Sequence, residues 1–177
     1  MVEKLVDRDD VRVSRISDGA QWLLHAEPAD APQIEQATKL QLPTTMLNTG
    51  VANGWSVLHM APDEWMLLGA EDQSEGLEAQ FRNSALPAHS LVEISDRSFW
   101  LRIDGERAGR LLAGACPIDI DQMPAGTATR TLFGKATIVL WKNCGDFRIS
   151  HARSYDAYVV ALIIAIADDM AGEKLSA

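Results

Sequence analysis

Residues 91–120 read LVEISDRSFWLRIDGERAGRLLAGACPIDI, and residues 145–169 read GDFRISHARSYDAYVVALIIAIADD. With the segment between them, they predict the order strand, helix, strand, turn, strand, helix. Phe99–Ile103 alternates so that three apolar side chains share one face, which is typical of a half-buried strand. Ala136–Trp141 is apolar and rich in β-branched residues, which predicts a buried strand. Phe147–Ile149 follows turn residues and is expected to pair antiparallel with it as a hairpin.

Two helices complete this half of the chain. Asp104 is expected to cap the first, because its carboxylate can accept hydrogen bonds from the free amides of a first turn. That helix should end near Gly114, ahead of a proline. Ser154 is expected to cap the second, which should continue to Met170 and is apolar nearly all round. Its uncharged run is shorter than the roughly 20 residues that span a bilayer, so we expect a core helix or a subunit contact.

The first half of the chain resembles a second copy of this arrangement. Ala20–Ala26 is a predicted strand, and Asp30 is expected to cap a helix. Trp55–Met60 and Trp65–Leu68 are the predicted hairpin, and Ser74 is expected to cap a second helix. The fold class predicted is therefore α+β, with two pseudo-repeated β-α-β-β-α lobes whose antiparallel sheets are backed by helices.

The predicted boundaries follow from the breaks in these patterns. Glycine, proline and asparagine in residues 41–53 indicate a loop, and residues 84–89 are expected to link the lobes. The predicted organisation is a charged lead-in at 1–18 with a possible edge strand at 11–16, a first lobe at 19–86 and a second lobe at 91–172.

Composition excludes several classes of protein. The chain has 177 residues and a net charge of −9, and an acidic surface argues against nucleic acid as a partner because phosphate contacts need Lys and Arg. A hydrophobic content of 47% supports a packed core. The N-terminal region lacks the apolar stretch of a signal peptide, and two cysteines give no disulfide framework. A cytoplasmic location with no membrane partner is expected.

No set of residues predicts catalysis in this chain. The phosphate-binding motifs GxGxxG and GxxxxGK[ST] do not occur in the sequence. Cys116 is expected at the end of a helix, whereas a reactive thiol prefers the start, and Cys144 has no histidine near it in sequence. A small thiol enzyme is therefore a remote alternative. The histidines lack the spacing of metal ligands on one element and are expected to be structural: His25, His59, His89 and His151.

Tryptophan offers the main functional indication. The five tryptophans all fall in predicted strands: Trp22, Trp55, Trp65, Trp100 and Trp141. Trp100 lies opposite the apolar face of its strand, so either the other lobe or a partner must cover one of the two faces. Tryptophan is enriched in interface hot spots. Trp65, Trp100 and Trp141 are therefore the predicted partner-binding residues, with burial inside the chain as the alternative.

Three segments together resemble the γ subunit family of heterotetrameric sarcosine oxidase. They are LVEISDRSFWLRIDGERAGRLLAGACPIDIDQ at 91–122, PAGTATRTLFGKATIVLW at 124–141 and DFRISHARSYDAYV at 146–159. GWSVLHMAPDEWMLLGAE at 54–71 also fits the family, which carries a proline-acid-acid-tryptophan turn there. The resemblance runs from about Trp22 onward, and the sequence is more distantly similar to the folate-binding domain of the glycine cleavage aminomethyltransferase.

This resemblance implies a subunit of an oxidoreductase with no active site of its own. The enzyme of that family demethylates sarcosine oxidatively to glycine, with tetrahydrofolate as the one-carbon acceptor. No cofactor is expected in this chain; FAD, FMN, NAD, tetrahydrofolate and zinc are expected elsewhere in the complex. The partners implied are the α and β subunits, with δ in the complex, and the role implied is their assembly or stabilisation.

The alternative function is a free-standing folate-binding protein of the aminomethyltransferase-like superfamily. Those relatives carry acidic residues just before the strand matched here by Ile138–Trp141, where this sequence has Ala136 and Thr137. The acid expected to hold the folate ring is therefore absent, so no folate-binding residue is carried over. We also expect the isolated chain to self-associate, because large exposed apolar patches tend to be buried by association.

Overall fold

A computed structural model describes residues 3–16, 19–82 and 85–175 of the chain. The strands are β1 (Lys4–Asp7), β2 (Arg12–Ile16), β3 (Ala20–Ala26), β4 (Thr49–Ala52), β5 (Trp55–Ala61), β6 (Glu64–Gly69), β7 (His89–Glu93), β8 (Ser98–Asp104), β9 (Thr127–Phe133), β10 (Ala136–Lys142) and β11 (Phe147–Ala152). The α-helices are α1 (Ala31–Thr38), α2 (Ser74–Phe81), α3 (Ala108–Ala113) and α4 (Asp156–Leu175). Among the described residues, no helix is long and apolar enough to cross a membrane.

The described residues form two compact units, each built on one sheet. The five-stranded unit comprises the described residues between 19 and 96, together with 126–128. Its sheet has the order β4-β5-β6-β3-β7, and its neighbouring strands pair antiparallel. Apolar side chains of the strands and of α1 and α2 form its core, and they include Trp22, Leu24, Ile34, Leu67 and Phe81.

The six-stranded unit contains the described residues before 17, residues 97–125 and the described residues from 129 onward. Its sheet has the order β1-β2-β8-β11-β10-β9. The predicted hairpin of β10 and β11 is present, with Leu140 opposite Ile149. Helices α3 and α4 cover one face of this sheet and form a second core with it, which includes Leu101, Ile103, Leu111, Ile138, Leu140, Ile149, Val159 and Ile163.

The two halves share one topology. The first half runs β3-α1-β4-β5-β6-α2 and the second runs β8-α3-β9-β10-β11-α4. The corresponding strands have the same order in the two sheets, β4-β5-β6-β3 and β9-β10-β11-β8. The predicted α+β class with two antiparallel sheets backed by helices is therefore confirmed. Each repeat contains one more strand than predicted, because β4 lies within the expected loop 41–53 and β9 precedes the second hairpin.

The strand that precedes each repeat joins the sheet of the other repeat. β2 comes just before the first repeat but pairs antiparallel with β8, which opens the second. β7 comes just before the second repeat but pairs antiparallel with β3, which opens the first. Residues 1, 2, 17 and 18 of the predicted lead-in and residue 84 of the predicted linker lie outside the described residues.

Three of the predicted helix caps differ in the structure. Asp104 does not cap α3, because its carboxylate accepts a hydrogen bond from Arg12 at 2.7 Å and Gly105 turns the chain with φ +111° before the helix begins. Ser74 is the first residue of α2, and its hydroxyl accepts a hydrogen bond from Trp22 Nε1 at 3.0 Å. Ser154 lies in a 3₁₀ turn ahead of α4, and α4 continues beyond Met170 to Leu175. Asp30 does occupy the cap position of α1, although its side chain makes no capping hydrogen bond.

Replacing Leu140 by Ala should lower the free energy of unfolding of the six-stranded unit by about 2–5 kcal/mol. Leu140 is fully buried in that core, so its truncation removes apolar contacts and leaves a cavity. Leu132→Ala on β9 is the matched control, because Leu132 is 44% exposed and should change stability by less than about 0.5 kcal/mol. Urea denaturation measures both, and equal effects of the two variants would contradict this account of the core.

Candidate functional site

The three predicted partner-binding tryptophans are all buried. Their exposed fractions are 1% for Trp65, 6% for Trp100 and 2% for Trp141. Trp65 donates from Nε1 to the carbonyl of Pro43 at 3.0 Å, and the Arg148 guanidinium lies 4.6 Å from the Trp141 ring centroid. Side chains this buried stabilise the chain itself, and a contact of the three with a partner stays a prediction.

The cysteines differ in their surroundings. Cys116 belongs to the core of the six-stranded unit, and burial raises the pKa of its thiol to about 11. A thiol with so high a pKa is protonated at neutral pH and is a poor nucleophile. Cys144 is exposed in the turn between β10 and β11.

Three of the histidines contact aromatic, carboxylate or backbone groups of the five-stranded unit. His59 stacks on Trp65 with ring centroids 5.0 Å apart, and His25 lies 3.6 Å from a carboxylate oxygen of Glu64. The ring nitrogens of His89 lie 2.7 Å from the carbonyl of Pro87 and 3.1 Å from that of Phe81. These contacts place the three rings within the packing of the five-stranded unit, where they hold strands and loops together.

The fourth histidine belongs to a charge cluster at the start of α4, in which His151 is buried and Arg15 and Asp156 are partly buried. Arg15 donates two hydrogen bonds to Asp156, from Nη1 to Oδ1 at 2.9 Å and from Nη2 to Oδ2 at 3.1 Å. His151 lies 2.9 Å from the same Oδ1 through its Nε2. Because the carboxylate only accepts, His151 Nε2 carries the proton that it donates. A two-bond arginine–carboxylate pair fixes direction as well as distance, so the cluster fixes the first turn of α4 against β2 and β11.

Burial and charge shift the pKa values within this cluster. Burial lowers the pKa of His151, and it outweighs the hydrogen bond to Asp156, which acts in the opposite direction. Burial also works against the charged form of Asp156, but the hydrogen bonds from Arg15 and His151 prevail and lower the pKa of its carboxyl. The cluster therefore holds a neutral imidazole beside an ionised carboxylate at neutral pH.

Aromatic packing surrounds the cluster. The guanidinium carbons of Arg15 and Arg153 lie 4.4 Å and 4.5 Å from the Phe99 ring centroid. A histidine–aspartate pair is also part of many catalytic sites, but His151 Nδ1 has no hydrogen-bond partner among the residues that the structure describes. Its other nitrogen, Nε2, and the Arg15–Asp156 pair hold the first turn of α4.

The exposed side of α4 is a second feature, which the sequence pattern did not identify; we call it the α4 outer face. The α4 outer face consists of five exposed residues: Ala157, Tyr158, Ala161, Ile164 and Ala165. The opposite side of the helix buries Val159, Ile163, Ala167 and Met170 in the core. Sequence reasoning found the helix apolar nearly all round but could not tell which side the sheet covers. It missed the charge cluster altogether, because Arg15 and Asp156 lie 141 positions apart.

Comparison with known proteins gives one family match. The model of the sarcosine oxidase, gamma subunit family matches residues 24–168, which include all of the second repeat up to the last turns of α4 and most of the first. A search of the curated proteins gave no match.

Solved structures with the same fold include one chain of the heterotetrameric sarcosine oxidase from Corynebacterium sp. U-96 in complex with pyrrole 2-carboxylate. The alignment has a TM-score of 0.79 and 22% sequence identity, and it covers 93% of this chain and 88% of that one. The glycine cleavage system aminomethyltransferase T from Bartonella henselae aligns with a TM-score of 0.67 and 10% identity, over 89% of this chain and 46% of that one. At these identities the likenesses show the fold.

The folded protein should react with one equivalent of a thiol reagent, through exposed Cys144, and with a second equivalent only after denaturation. Burial and the high pKa of Cys116 protect it from attack. Titration of free thiols with and without denaturant measures this, with Cys144→Ser as the control that should abolish the native reaction. Rapid native reaction of the Cys144→Ser protein would show that Cys116 is accessible.

Acidification should destabilise the protein partly through His151. The unfolded residue takes up a proton near pH 6.5, whereas the folded one, with its lowered pKa, does so only at lower pH. The stabilisation is therefore complete above pH 6.5 and decreases as pH falls toward the folded pKa, by at most about 1.4 kcal/mol per pH unit for one proton. Urea denaturation between pH 7.5 and pH 5.5 should show a smaller decrease for His151→Gln than for the wild type. His25→Gln, at a half-exposed position, serves as control; equal effects of the two variants would disprove the assignment.

Proposed function

Since this chain belongs to the sarcosine oxidase gamma subunit family, we propose that it is a non-catalytic subunit of a flavin-dependent heterotetrameric sarcosine oxidase. Its role is to assemble or stabilise the α and β subunits. The complex would demethylate sarcosine oxidatively to glycine and pass the one-carbon unit to tetrahydrofolate. FAD, FMN, NAD and zinc would be bound by the other subunits, δ among them, and the complex would work in the cytoplasm.

The observation that carries this proposal is the family match over residues 24–168. It extends across elements of both repeats, from β3 to α4, so it concerns the whole architecture rather than a single motif. The chain of the Corynebacterium enzyme that shares the fold also aligns over most of its own length, 88%. A protein that matches a subunit family from one repeat to the other is best explained as a counterpart of that subunit.

The chemistry of the described side chains supports a role without catalysis. The His151–Asp156 pair is tied to Arg15 and holds the start of α4. The buried thiol of Cys116 is held in its protonated form. The fold accounts for both features, because the pair is tied to Arg15 at the start of α4 and the thiol is packed in the core of the six-stranded unit.

Co-expression with candidate α and β subunits tests the proposal. We expect a tagged form of this chain to recover both in equal amounts as a yellow complex that oxidises sarcosine. The chain purified alone should be colourless and inactive, and the α and β subunits made without it should give less soluble complex. Mass spectrometry of the recovered proteins and flavin absorbance provide the measurements.

Recovery of the tagged chain alone, without flavin, would overturn the proposal. In that case, titration of the isolated chain with tetrahydrofolate would test the alternative, a free-standing folate-binding protein. Saturable binding of tetrahydrofolate would support that alternative. If no binding were seen, both the subunit function and the folate-binding function would be excluded.

A further inference from the structure

We propose that the α4 outer face is the surface through which this chain docks onto a larger subunit of the complex, an inference that rests on the proposed function. Between Ala157 and Ala167 the helix carries no charged residue. One side of this run is in the core, and the five residues of the outer face are exposed. A surface helix normally presents polar side chains to water, so a helix that is apolar on both sides needs a second surface to cover it.

Helices α1 and α2 of the same chain, with eight residues each, have solvent-exposed sides of the ordinary polar kind. The exposed residues of α1 include Gln33 and Gln36, and those of α2 include Glu75 and Gln80. On the α4 outer face, by contrast, Tyr158 and Ile164 are 37% and 39% exposed. Because the polar sides of α1 and α2 and the apolar side of α4 occur in one chain, the chain's overall amino-acid composition does not explain the difference between them.

Contacts within the chain hold the side chain of Tyr158 in one position. Its hydroxyl accepts a hydrogen bond from the backbone amide of Lys135 at 3.0 Å. Gly134, with φ +58°, makes room for the ring, since a Cβ there would lie 2.3 Å from the tyrosine oxygen. Tyr155 packs edge-on against Tyr158 with ring centroids 6.4 Å apart. A tyrosine held in this way loses little conformational entropy on binding, which favours it as a contact residue.

Charge decides between a different subunit and a second copy of this chain. An apolar face alone would favour self-association, but each copy carries a net charge of −9, so two copies repel as they approach. The outer face also ends near the exposed Asp169, beside Asp168, which is paired with Arg8 of the same chain. The surface that fits is therefore an apolar one with a basic residue at the end that meets Asp169, and it belongs to a larger subunit.

The test compares two double variants that make the same chemical change. Ala161→Glu with Ala165→Glu adds two charges to the α4 outer face, and Ala37→Glu with Ala79→Glu adds two charges to exposed positions of α1 and α2. Each is co-expressed, tagged, with the α and β subunits, and the recovered subunits are quantified. Thermal unfolding of the purified variants checks that both remain folded.

We expect the α4 variant to lose at least about tenfold in recovery of the larger subunits, because unpaired carboxylates would be buried in an apolar contact. The α1 and α2 variant should recover them as the wild type does. Equal recovery by both variants would overturn the assignment of this surface, as would a change confined to self-association of the isolated chain in sedimentation. If the wild-type chain itself recovers neither subunit, the proposed function fails, an outcome that is distinct from failure of the surface alone.

Discussion

Exchange of the two lead strands is the constraint on which the rest of this structure depends. β2 pairs with β8 over five residue pairs, from Arg12 opposite Asp104 to Ile16 opposite Trp100. β7 pairs in the same manner with β3. Each sheet thus includes at least one strand from the segment ahead of the other repeat: β1 and β2 in the six-stranded sheet, and β7 in the five-stranded sheet. Neither repeat completes its own sheet from its own sequence. A division of the chain between α2 and β7 would leave both sheets without a strand that the structure pairs.

The position of β2 also determines how α4 is held. Because β2 lies in the six-stranded sheet, Arg15 reaches Asp156 at the start of the helix. Two more arginines bind the helix further along. Arg8 donates to the carbonyl of Ala167 and to Asp168, and Arg107 donates to the carbonyl of Met170 at 3.0 Å. Side chains from elsewhere in its unit therefore hold the helix at its first turn and again at residues 167–170, which fixes the side that the α4 outer face presents.

Local patterns made the main elements predictable, and distance in sequence hid the rest. The boundaries of β3 and the hairpin of β10 and β11 follow from alternation and turn residues, which a sequence displays directly. β4 was missed because Thr49–Ala52 is short and lies among glycine and asparagine. Asp104 was assigned to a helix cap because its arginine partner, Arg12, lies 92 positions away. The cluster around Asp156 was invisible for the same reason, since pairing across a sheet is decided by topology rather than by neighbours in sequence.

The two repeats provide an internal comparison that separates what the fold requires from what it does not. α2 and α4 occupy equivalent places, each following the last strand of its repeat. α2 has 8 residues and exposes glutamate and glutamine, whereas α4 has 20 residues and exposes alanine, isoleucine and tyrosine. The shared topology is satisfied by a short helix with a polar outer side, so it does not demand the longer apolar one. The apolar character of the α4 outer face must therefore have a cause beyond the fold, and contact with another protein chain is the cause that its chemistry fits.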